Sequence, residues 1–240
     1  MRYAIIADIH GNLEALQAVL NDAKEQGATH FACLGDVVGY NANPVECLEI
    51  VRELECSVVR GNHDHYVAHS DSLEGFHPLA ANVVDWTRKQ LTDEQRSYLS
   101  RLEFSQREET FTIVHSTLDA PGSWGYVFDK LEAEANFSYQ VTSVCFYGHT
   151  HVPIAFELVE EIRQGLFKKL KIMSGRKYLV NVGSVGQPRD GDPRAAYVIY
   201  DMIENQIELR RIPYDFTITQ KKILQQGLPE RLASRLAIGR

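Results

Sequence analysis

The sequence predicts an α/β protein in which two mixed β-sheets pack together as a sandwich, with helices on the outer faces and therefore four layers. The first part of the chain alternates short apolar runs with amphipathic helical segments, which is typical of a mostly parallel sheet covered by helices. After Pro153 the chain changes to longer strands of alternating polarity, which favour antiparallel pairing. Because no linker rich in glycine, proline or serine separates the two parts, we expect one domain.

The N-terminal part is predicted to run β-α-β-α-β. Asn12 can cap the first helix, and Gly27 can end it. Pro44 lies near the first turn of the second helix, a position that proline favours. The predicted strands are residues 3–7, 30–34 and 57–59, and the second helix covers residues 44–54.

The rest of the chain is predicted as two helices followed by strands. Thr92 and Gln95 form a capping-box pattern at the start of the second of these helices. The Glu204-Asn205 pair is typical of a hairpin turn between the last two strands. The helices cover residues 78–91 and 93–102, and the strands cover residues 110–115, 141–147, 154–159, 167–173, 178–182, 195–201 and 206–212.

The C-terminal segment is basic and has a helical pattern. We expect a main domain over residues 1–215 and a basic helical tail over residues 216–240. A solvated surface helix is the simpler interpretation of this tail, and a helix that binds a partner or supports oligomerisation is the alternative. The charged residues of the tail are Lys221, Lys222, Arg231, Arg235 and Arg240 against Glu230.

Size and composition match an ordinary globular protein. The chain has 240 residues, of which 44% are hydrophobic and 24% are charged. A chain of this length can bury a large core without disulfides or a structural metal, so a bound metal would be functional. The net charge of −7 disfavours nucleic acid as a partner, except as a substrate.

The same residues exclude several other classes of protein. The four cysteines form no CxxC pair and indicate neither a disulfide framework nor a zinc ribbon. The first apolar run meets Asp8 at once and is too short for a signal peptide. No apolar run approaches the ~18 residues of a membrane span. We therefore expect no membrane partner and a cytoplasmic location.

Metal-ligand side chains follow five predicted strands, at the point where each strand ends. Because the carboxyl ends of strands in an open α/β sheet converge on one edge, we expect these side chains to lie together. A single such residue is more often structural, and it is the conjunction that indicates a site. The residues are Asp8, His10, Asp36, Asn62, His63, Asp64, His115, His149 and His151.

The ligand types indicate the class of metal. Imidazole and carboxylate without thiolate suit Mn²⁺, Fe, Ni²⁺, Co²⁺ or Zn²⁺, of which we prefer Mn²⁺. The number of candidate ligands is larger than the four that a tetrahedral zinc ion binds. It suits two divalent ions that share a carboxylate. Such a pair of ions clamps the attacking and leaving oxygens of a displacement at phosphorus.

Five motifs contain these residues, namely Asp8-Ile9-His10, Gly35-Asp36-Val37-Val38-Gly39, Gly61-Asn62-His63-Asp64, His115 and Gly148-His149-Thr150-His151. In order and spacing they resemble the signature of the calcineurin-like metallophosphoesterase superfamily. The resemblance runs from Tyr3 to about Asp201. It is greatest to the small prokaryotic phosphodiesterase branch, whose members often carry a turn like the one at residues 181–188.

The resemblance implies a role for each residue. A hydroxide between the two metals would attack phosphorus, and His63 would protonate the leaving oxygen as general acid. Asp64 could orient His63, or it could cap a helix. The first metal would be held by Asp8, His10 and His151, the second by Asn62, His115 and His149, and Asp36 would bridge both.

The sequence departs from one branch of the superfamily beside the bridging aspartate. Phosphoprotein phosphatases follow that residue with a further Asp-Arg pair, where this chain has Gly39 and Tyr40. The difference lowers the expectation of a protein phosphatase and favours a diester or a small substrate. Arg189 and Arg60 are candidate substitutes for the missing arginine, although Arg60 could equally be a structural ion-pair partner.

Three further assignments stay open at this point. His115 follows valine where the superfamily often has glycine, so His77 is an alternative ligand. The Gly183-Ser184 pair could approach the substrate through backbone amides, or it could form a tight turn. Trp124 lies in a loop after His115 and could line the pocket or belong to the core.

The sequence therefore predicts a dinuclear metal-dependent enzyme that hydrolyses small phosphate esters, with a phosphodiesterase preferred. A phosphomonoesterase and a dinucleoside polyphosphate hydrolase are the alternatives among enzymes. A non-catalytic binding scaffold is a further alternative, and it is disfavoured because every ligand position and His63 are present.

Overall fold

The secondary structure comes from a computed structural model that describes residues 1–69, 71–73 and 78–240. The strands are β1 (Arg2–Ile6), β2 (His30–Cys33), β3 (Ser57–Val58), β4 (Ser105–Arg107), β5 (Phe111–Val114), β6 (Val144–Tyr147), β7 (Ile154–Leu158), β8 (Ile162–Gly165), β9 (Lys169–Lys171), β10 (Lys177–Asn181), β11 (Ala195–Asp201) and β12 (Gln206–Ile212). The helices are α1 (Leu13–Glu25), α2 (Pro44–Glu53), α3 (Asn62–Ala68), α4 (Pro78–Gln90), α5 (Asp93–Arg101), α6 (Lys130–Tyr139), α7 (Phe216–Gln225) and α8 (Glu230–Leu236). Within these described residues, no helix has both the length and the apolar composition needed to cross a membrane.

The strands form two mixed sheets of six strands each. The order is β3-β2-β1-β11-β12-β9 in the first sheet and β4-β5-β6-β10-β7-β8 in the second. Strands β1, β2 and β3 run parallel to one another, and so do β5, β6 and β10. The strands that precede the predicted ligands are therefore neighbours, three in the first sheet and two in the second.

The strands after Pro153 pair largely antiparallel, as predicted, apart from the parallel pair of β10 and β6. They do not form a sheet of their own, however. Strands β7, β8 and β10 complete the second sheet, whereas β9, β11 and β12 complete the first. The two parts of the sequence are thus shared between both layers of the sandwich.

An apolar core fills the space between the two sheets. Ile5 and Tyr200 of the first sheet pack with Phe111, Phe146 and Tyr178 of the second, and all five side chains are buried. The rings of Phe111 and Phe146 meet edge to face, with their centroids 5.5 Å apart. Burial of large aromatic side chains makes a major stabilising contribution to such a sandwich.

Helices cover both outer faces of the sandwich. Leu16 of α1 and Leu48 of α2 belong to the apolar cluster on the outer face of the first sheet. On the second sheet, Phe137 of α6 packs in a cluster with Tyr147 and Leu179. The order helix, sheet, sheet, helix confirms the predicted four-layer fold.

Four elements, α3, α6, β4 and β8, were not among those predicted from the sequence. The apolar residues of α6 do not form one stripe, because Leu131 is exposed whereas Phe137 is buried. A usable signal was the capping box of Asp129 and Glu132, which the structure forms. Strands β4 and β8 lie at the two edges of the second sheet, and their short polar sequences lack a strand-like alternation.

The C-terminal tail forms two helices, α7 and α8, rather than one. Gly227, whose φ is +69°, lies in the turn between them, where glycine adopts the left-handed conformation at no steric cost. Ile223, Leu232 and Leu236 of the tail are buried in a cluster with Val83 of α4. The expected solvated surface is therefore confined to the outer faces of these helices.

Candidate metal centre

The predicted ligands lie at the carboxyl ends of five strands. Residues 8 and 10 follow β1, residue 36 follows β2, residue 62 begins α3 after β3, residue 115 follows β5, and residues 149 and 151 follow β6. The six carboxylate and imidazole side chains among them are at most 6% exposed, namely Asp8, His10, Asp36, His115, His149 and His151. The convergence that the strand order predicts is therefore present in the structure.

These side chains form overlapping groups that could each hold a metal ion. In each group the ligand atoms lie within 4.8 Å of one another, and the groups are Asp8 with His10 and His151, His10 with Asp36 and His63, and Asp36 with His115 and His149. The Oδ2 atom of Asp36 lies 3.5 Å from Nε2 of His10 and 3.4 Å from Nε2 of His115. Asp36 is thus the carboxylate common to both ends of the cluster.

The hydrogen bonds of His10 and His151 show how their lone pairs are directed. Nδ1 of His10 lies 3.2 Å from the carbonyl oxygen of Val38, and Nδ1 of His151 lies 2.6 Å from that of Gln187. A carbonyl oxygen only accepts, so each Nδ1 carries a proton. Burial lowers the pKa of both rings well below the usual value, so both are neutral and each Nε2 carries a lone pair. Yet the two Nε2 atoms are only 3.1 Å apart. Two lone pairs that face each other across this distance fit a shared cation.

The same arrangement occurs at the other end of the cluster. Nδ1 of His115 lies 2.8 Å from the carbonyl oxygen of Leu34, and Nε2 of His149 lies 3.0 Å from that of Trp124. The remaining nitrogens, Nε2 of His115 and Nδ1 of His149, are 3.1 Å apart and both carry lone pairs. The side-chain oxygen of Asn62 lies 3.2 Å from the same Nε2 atom. These three lone-pair atoms also fit a cation.

Burial sets the charge of the ligands. It lowers the pKa of His115 to about 4 and that of His149 to about 2, so both imidazoles are neutral and available as ligands. Burial also raises the pKa of Asp36 to about 8. The pKa of Asp8 is raised by burial and then by the charge of Asp36. Two buried carboxylates without a matching cation are unfavourable, and a divalent metal would remove that cost.

The backbone at the ligands adopts a conformation that side chains rarely allow. The φ angles lie between +50° and +66° at five ligands, namely Asp8, His10, Asp36, His149 and His151. Left-handed backbone at a residue other than glycine carries a cost and concentrates at functional sites. Hydrogen bonds between the strand ends hold this geometry, for example from the amide of His10 to the carbonyl oxygen of Asp36 at 2.8 Å.

Two glycines of the motifs make room for the carboxylates. A Cβ atom at Gly61 would lie 2.1 Å from Oδ1 of Asp36, and one at Gly148 would lie 2.7 Å from Oδ2 of Asp8. Any side chain at either position would displace a ligand. Glycine is therefore required at both positions, because a carboxylate ligand lies against the backbone there.

His63 lies beside the ligands in a buried position. Its amide donates a hydrogen bond of 2.8 Å to Oδ1 of Asp36, and its ring centroid is 4.9 Å from that of His10. Among the described residues, its Nδ1 atom has no hydrogen-bond partner. Burial, followed by the charge of Arg189, lowers the pKa of His63 to about 3. The imidazole is thus neutral.

The hydrogen bonds of the Asp64 carboxylate go to backbone amides. One of its carboxylate oxygens accepts hydrogen bonds from the amides of Val37 and Val38, at 3.0 and 3.2 Å. The other accepts from the amide of Gly61 at 3.1 Å, at the start of α3. Of the two roles that the sequence suggested, helix capping is the one that the contacts support. The carboxylate also joins the loop after β2 to the start of α3.

Two other candidates from the sequence have structural contacts. Arg60 donates to the carbonyl oxygens of Ser100 and Leu102, at 2.7 and 2.9 Å, and pairs with no carboxylate among the described residues. The hydroxyl of Ser184 donates to the carbonyl oxygen of Asp8 at 2.8 Å, so the turn at residues 181–188 braces the end of β1. His77, the alternative to His115, lies outside the described residues.

Aromatic and basic side chains surround the ligands. The ring of Tyr126 stacks on that of His149 with centroids 4.2 Å apart, and Phe128 stacks on Tyr126 at 5.5 Å. The guanidinium carbon of Arg189 lies 5.6 Å from the centre of the Tyr40 ring. The sequence singled out Arg189, but it gave no signal for Tyr126 or Phe128, because aromatic residues in a loop have no distinguishing pattern.

Neutral imidazoles and buried carboxylates at the shared edge of the sandwich form a set of nitrogen and oxygen ligand atoms that fits divalent metal ions. A calcineurin-like phosphoesterase superfamily domain model matches residues 1–205. The chain belongs to that superfamily.

Similar proteins agree with this assignment. The chain is 41% identical over 243 residues to the protein MJ0912 of Methanocaldococcus jannaschii, covering 99% of this chain and 98% of that protein. It is 25% identical over 217 residues to the phosphodiesterase YfcE of Escherichia coli K12, covering 86% and 89%. The structure of a metallophosphoesterase from Sphaerobacter thermophilus matches with a TM-score of 0.88 at 39% identity, covering 100% and 99%.

Proposed function

We propose that the protein is a phosphodiesterase that requires two divalent metal ions. This proposal rests on two pairs of imidazole nitrogens, one pair at each end of the cluster. In each pair the lone pairs face each other across 3.1 Å, and Asp36 lies between the two ends. Two such arrangements fit two ions better than one. The preference for a diester is supported by the similarity to YfcE, which is named as a phosphodiesterase.

The distances within the cluster support a proposed set of ligands for each ion. Oxygen and nitrogen donors without thiolate suit Mn²⁺, with Fe, Ni²⁺, Co²⁺ and Zn²⁺ as alternatives. When bound, the metals would lower the pKa of a water molecule and neutralise charge on the phosphoryl oxygens. We propose that the first ion is held by Asp8, His10 and His151, that the second is held by Asn62, His115 and His149, and that Asp36 bridges them.

His63 is proposed as the general acid that protonates the leaving oxygen. Its ring lies next to the ligands, and its amide hydrogen bond to Asp36 fixes the backbone that carries it. Because burial favours the neutral imidazole, His63 would gain its second proton when the negative charge of a phosphate ester lies beside it. Asp64 would act only through the backbone of the two loops that it joins.

The surroundings of His63 favour a diester over a phosphate monoester. A Cβ atom at Gly39 would lie 2.5 Å from Nδ1 of His63, so the carboxylate of an aspartate has no room there. Tyr40 packs its ring 4.4 Å from that of His63 and 4.6 Å from that of His10. The Asp-Arg pair of phosphoprotein phosphatases is thus replaced by a small residue and an aromatic ring.

The decisive experiment combines metal analysis with two artificial substrates. We expect about two metal ions in protein that has been loaded with Mn²⁺, and faster hydrolysis of bis(p-nitrophenyl) phosphate than of p-nitrophenyl phosphate. The Asp36→Asn variant should bind less metal, and its rate should fall about 10²–10³-fold, as expected when a group that helps to stabilise charge in the transition state is lost. Asp85→Asn, which changes an exposed carboxylate paired with Arg88 on α4, is the matched control.

The other possible results separate the alternatives. A preference for the monoester by an order of magnitude would favour a phosphomonoesterase. Background activity that is equal in the wild type and in His63→Ala, with every metal tested, would favour a non-catalytic scaffold.

A further inference from the structure

A small basic cavity lies next to the metal centre. Its volume is about 180 Å³, and its lining residues are Tyr40, Leu79, Ala80, Arg189, Arg231 and Arg235. Tyr40 belongs to both places, because the same ring packs on His10 and His63 of the metal centre. Two of the three arginines come from α8 of the C-terminal tail.

The positive charge of this cavity is not balanced by carboxylate side chains among its lining residues. Among the described residues, Arg189, Arg231 and Arg235 take part in no ion pair with an acidic side chain, and no acidic side chain lines the cavity. Burial, followed by repulsion from Arg189, lowers the pKa of Arg235 to about 10. Partly buried like charges that face one another are unfavourable unless an anion lies between them.

The hydrogen bonds of two of these arginines leave donors unused. Arg189 donates from Nη2 to the side chain of Gln187 at 2.9 Å, but its buried Nε has no partner among the described residues. Arg235 donates from Nε to a main-chain oxygen of Arg240, the last residue of the printed sequence. Guanidinium groups recognise phosphate through paired N–H donors, so the unused donors suit a phosphate group.

Arg189 connects this cavity to the metal centre. Its amide donates to the carbonyl oxygen of His151 at 3.3 Å. A molecule whose phosphorus lies at the metal centre could therefore extend past Tyr40 into the basic cavity.

We propose that the arginine cavity binds a second phosphate group of the substrate, so that the preferred substrates are phosphate esters that carry another phosphate nearby. This inference rests on the proposed function of the metal centre. The tail would then supply residues that determine specificity, in addition to its packing against α4.

The experiment measures binding of paired ligands to the full chain loaded with Mn²⁺. Calorimetric titration with short alkanediol bisphosphates and with the corresponding alkyl monophosphates gives the ratio of their affinities. We expect the wild type to bind the best bisphosphate about tenfold or more tightly than the monophosphate, because a second phosphate gains charge-assisted hydrogen bonds. Arg231→Gln and the double variant with Arg235→Gln should reduce this ratio towards one.

The controls separate folding from recognition. Arg101→Gln changes an exposed arginine of α5 that donates to Ser97, and it should keep the ratio of the wild type. Arg231 is exposed, so the single Arg231→Gln variant should fold, and a thermal melt checks this directly.

Each result has one interpretation. A wild type that hydrolyses diesters but shows no preference for bisphosphates would overturn this inference alone. So would a preference that Arg231→Gln and the double variant leave intact. A wild type that hydrolyses no diester would instead contradict the proposed function.

Discussion

The floor and the rim of this site are constructed in different ways. The floor consists of the seven proposed metal ligands, whose carboxylates and imidazoles are buried at strand ends. The rim consists of Tyr126 and Phe128 on one side and the arginine cavity on another, and the two aromatic residues are 48% and 54% exposed. Because the floor is held by the main chain, its chemistry is fixed. We therefore expect the rim, rather than the floor, to determine which ester enters.

Replacement of His63 is expected to give the largest change in rate. His63→Ala removes the proposed proton donor, so kcat should fall about 10²–10⁴-fold while the metal content stays that of the wild type. Steady-state kinetics with bis(p-nitrophenyl) phosphate and metal analysis test this. His30→Ala, at an exposed position of β2, is the control. Unchanged kcat in His63→Ala would remove His63 from the mechanism.

The second largest effect is expected when the metal is removed, which should lower the thermal stability of the protein. Asp8 and Asp36 are buried carboxylates, so we expect the folded protein to bind divalent cations more tightly than the unfolded chain does. At a metal concentration about 100 times Kd, the gain of ~2.7 kcal/mol corresponds to a rise in Tm of roughly 5–10 °C. Thermal melts with chelator and with Mn²⁺ measure the shift. It should be smaller in Asp36→Asn, and an equal shift there would argue against metal binding by Asp36.

Replacement of Asp64 tests whether a residue that supports the ligand loops affects stability rather than catalysis. Asp64→Ala leaves the amides of Gly61, Val37 and Val38 without their acceptor. We expect a loss of about 2–3 kcal/mol in the free energy of unfolding, measured by denaturant titration. A fall in kcat like that of His63→Ala, with stability unchanged, would restore the orienting role.

Replacement of Tyr126 at the rim should give the smallest effect. Stacking on an aromatic ring contributes about 0.5–1.5 kcal/mol, so Tyr126→Leu should raise KM for aryl diesters about two- to tenfold. Its kcat should change little, because His149 keeps its hydrogen bond to Trp124. Tyr139→Leu, at an exposed position of α6, is the matched control. A large loss of kcat in Tyr126→Leu would mean that rim and floor are not separable.

The same contrast explains what the sequence could predict. The floor was predictable because each ligand follows an apolar strand, and strand order brings the carboxyl ends together. The hydrogen-bond partners of the imidazoles were not predictable, because the main-chain carbonyl oxygens that orient them have no sequence signature. The cavity was not predictable either. Arg231 and Arg235 reach it only because the tail packs on α4, a contact between distant segments that local periodicity does not encode.

Four main-chain oxygens decide which nitrogen each liganding imidazole offers to a metal. They belong to residues 34, 38, 124 and 187. Every amino acid has a carbonyl group, so a point substitution at these residues that preserves the backbone would leave the histidine tautomers unchanged. Substitutions at these positions would act through packing instead, because Leu34, Val38 and Gln187 are buried. An insertion or deletion that moves one of these loops would remove the carbonyl oxygen and with it the control of the tautomer.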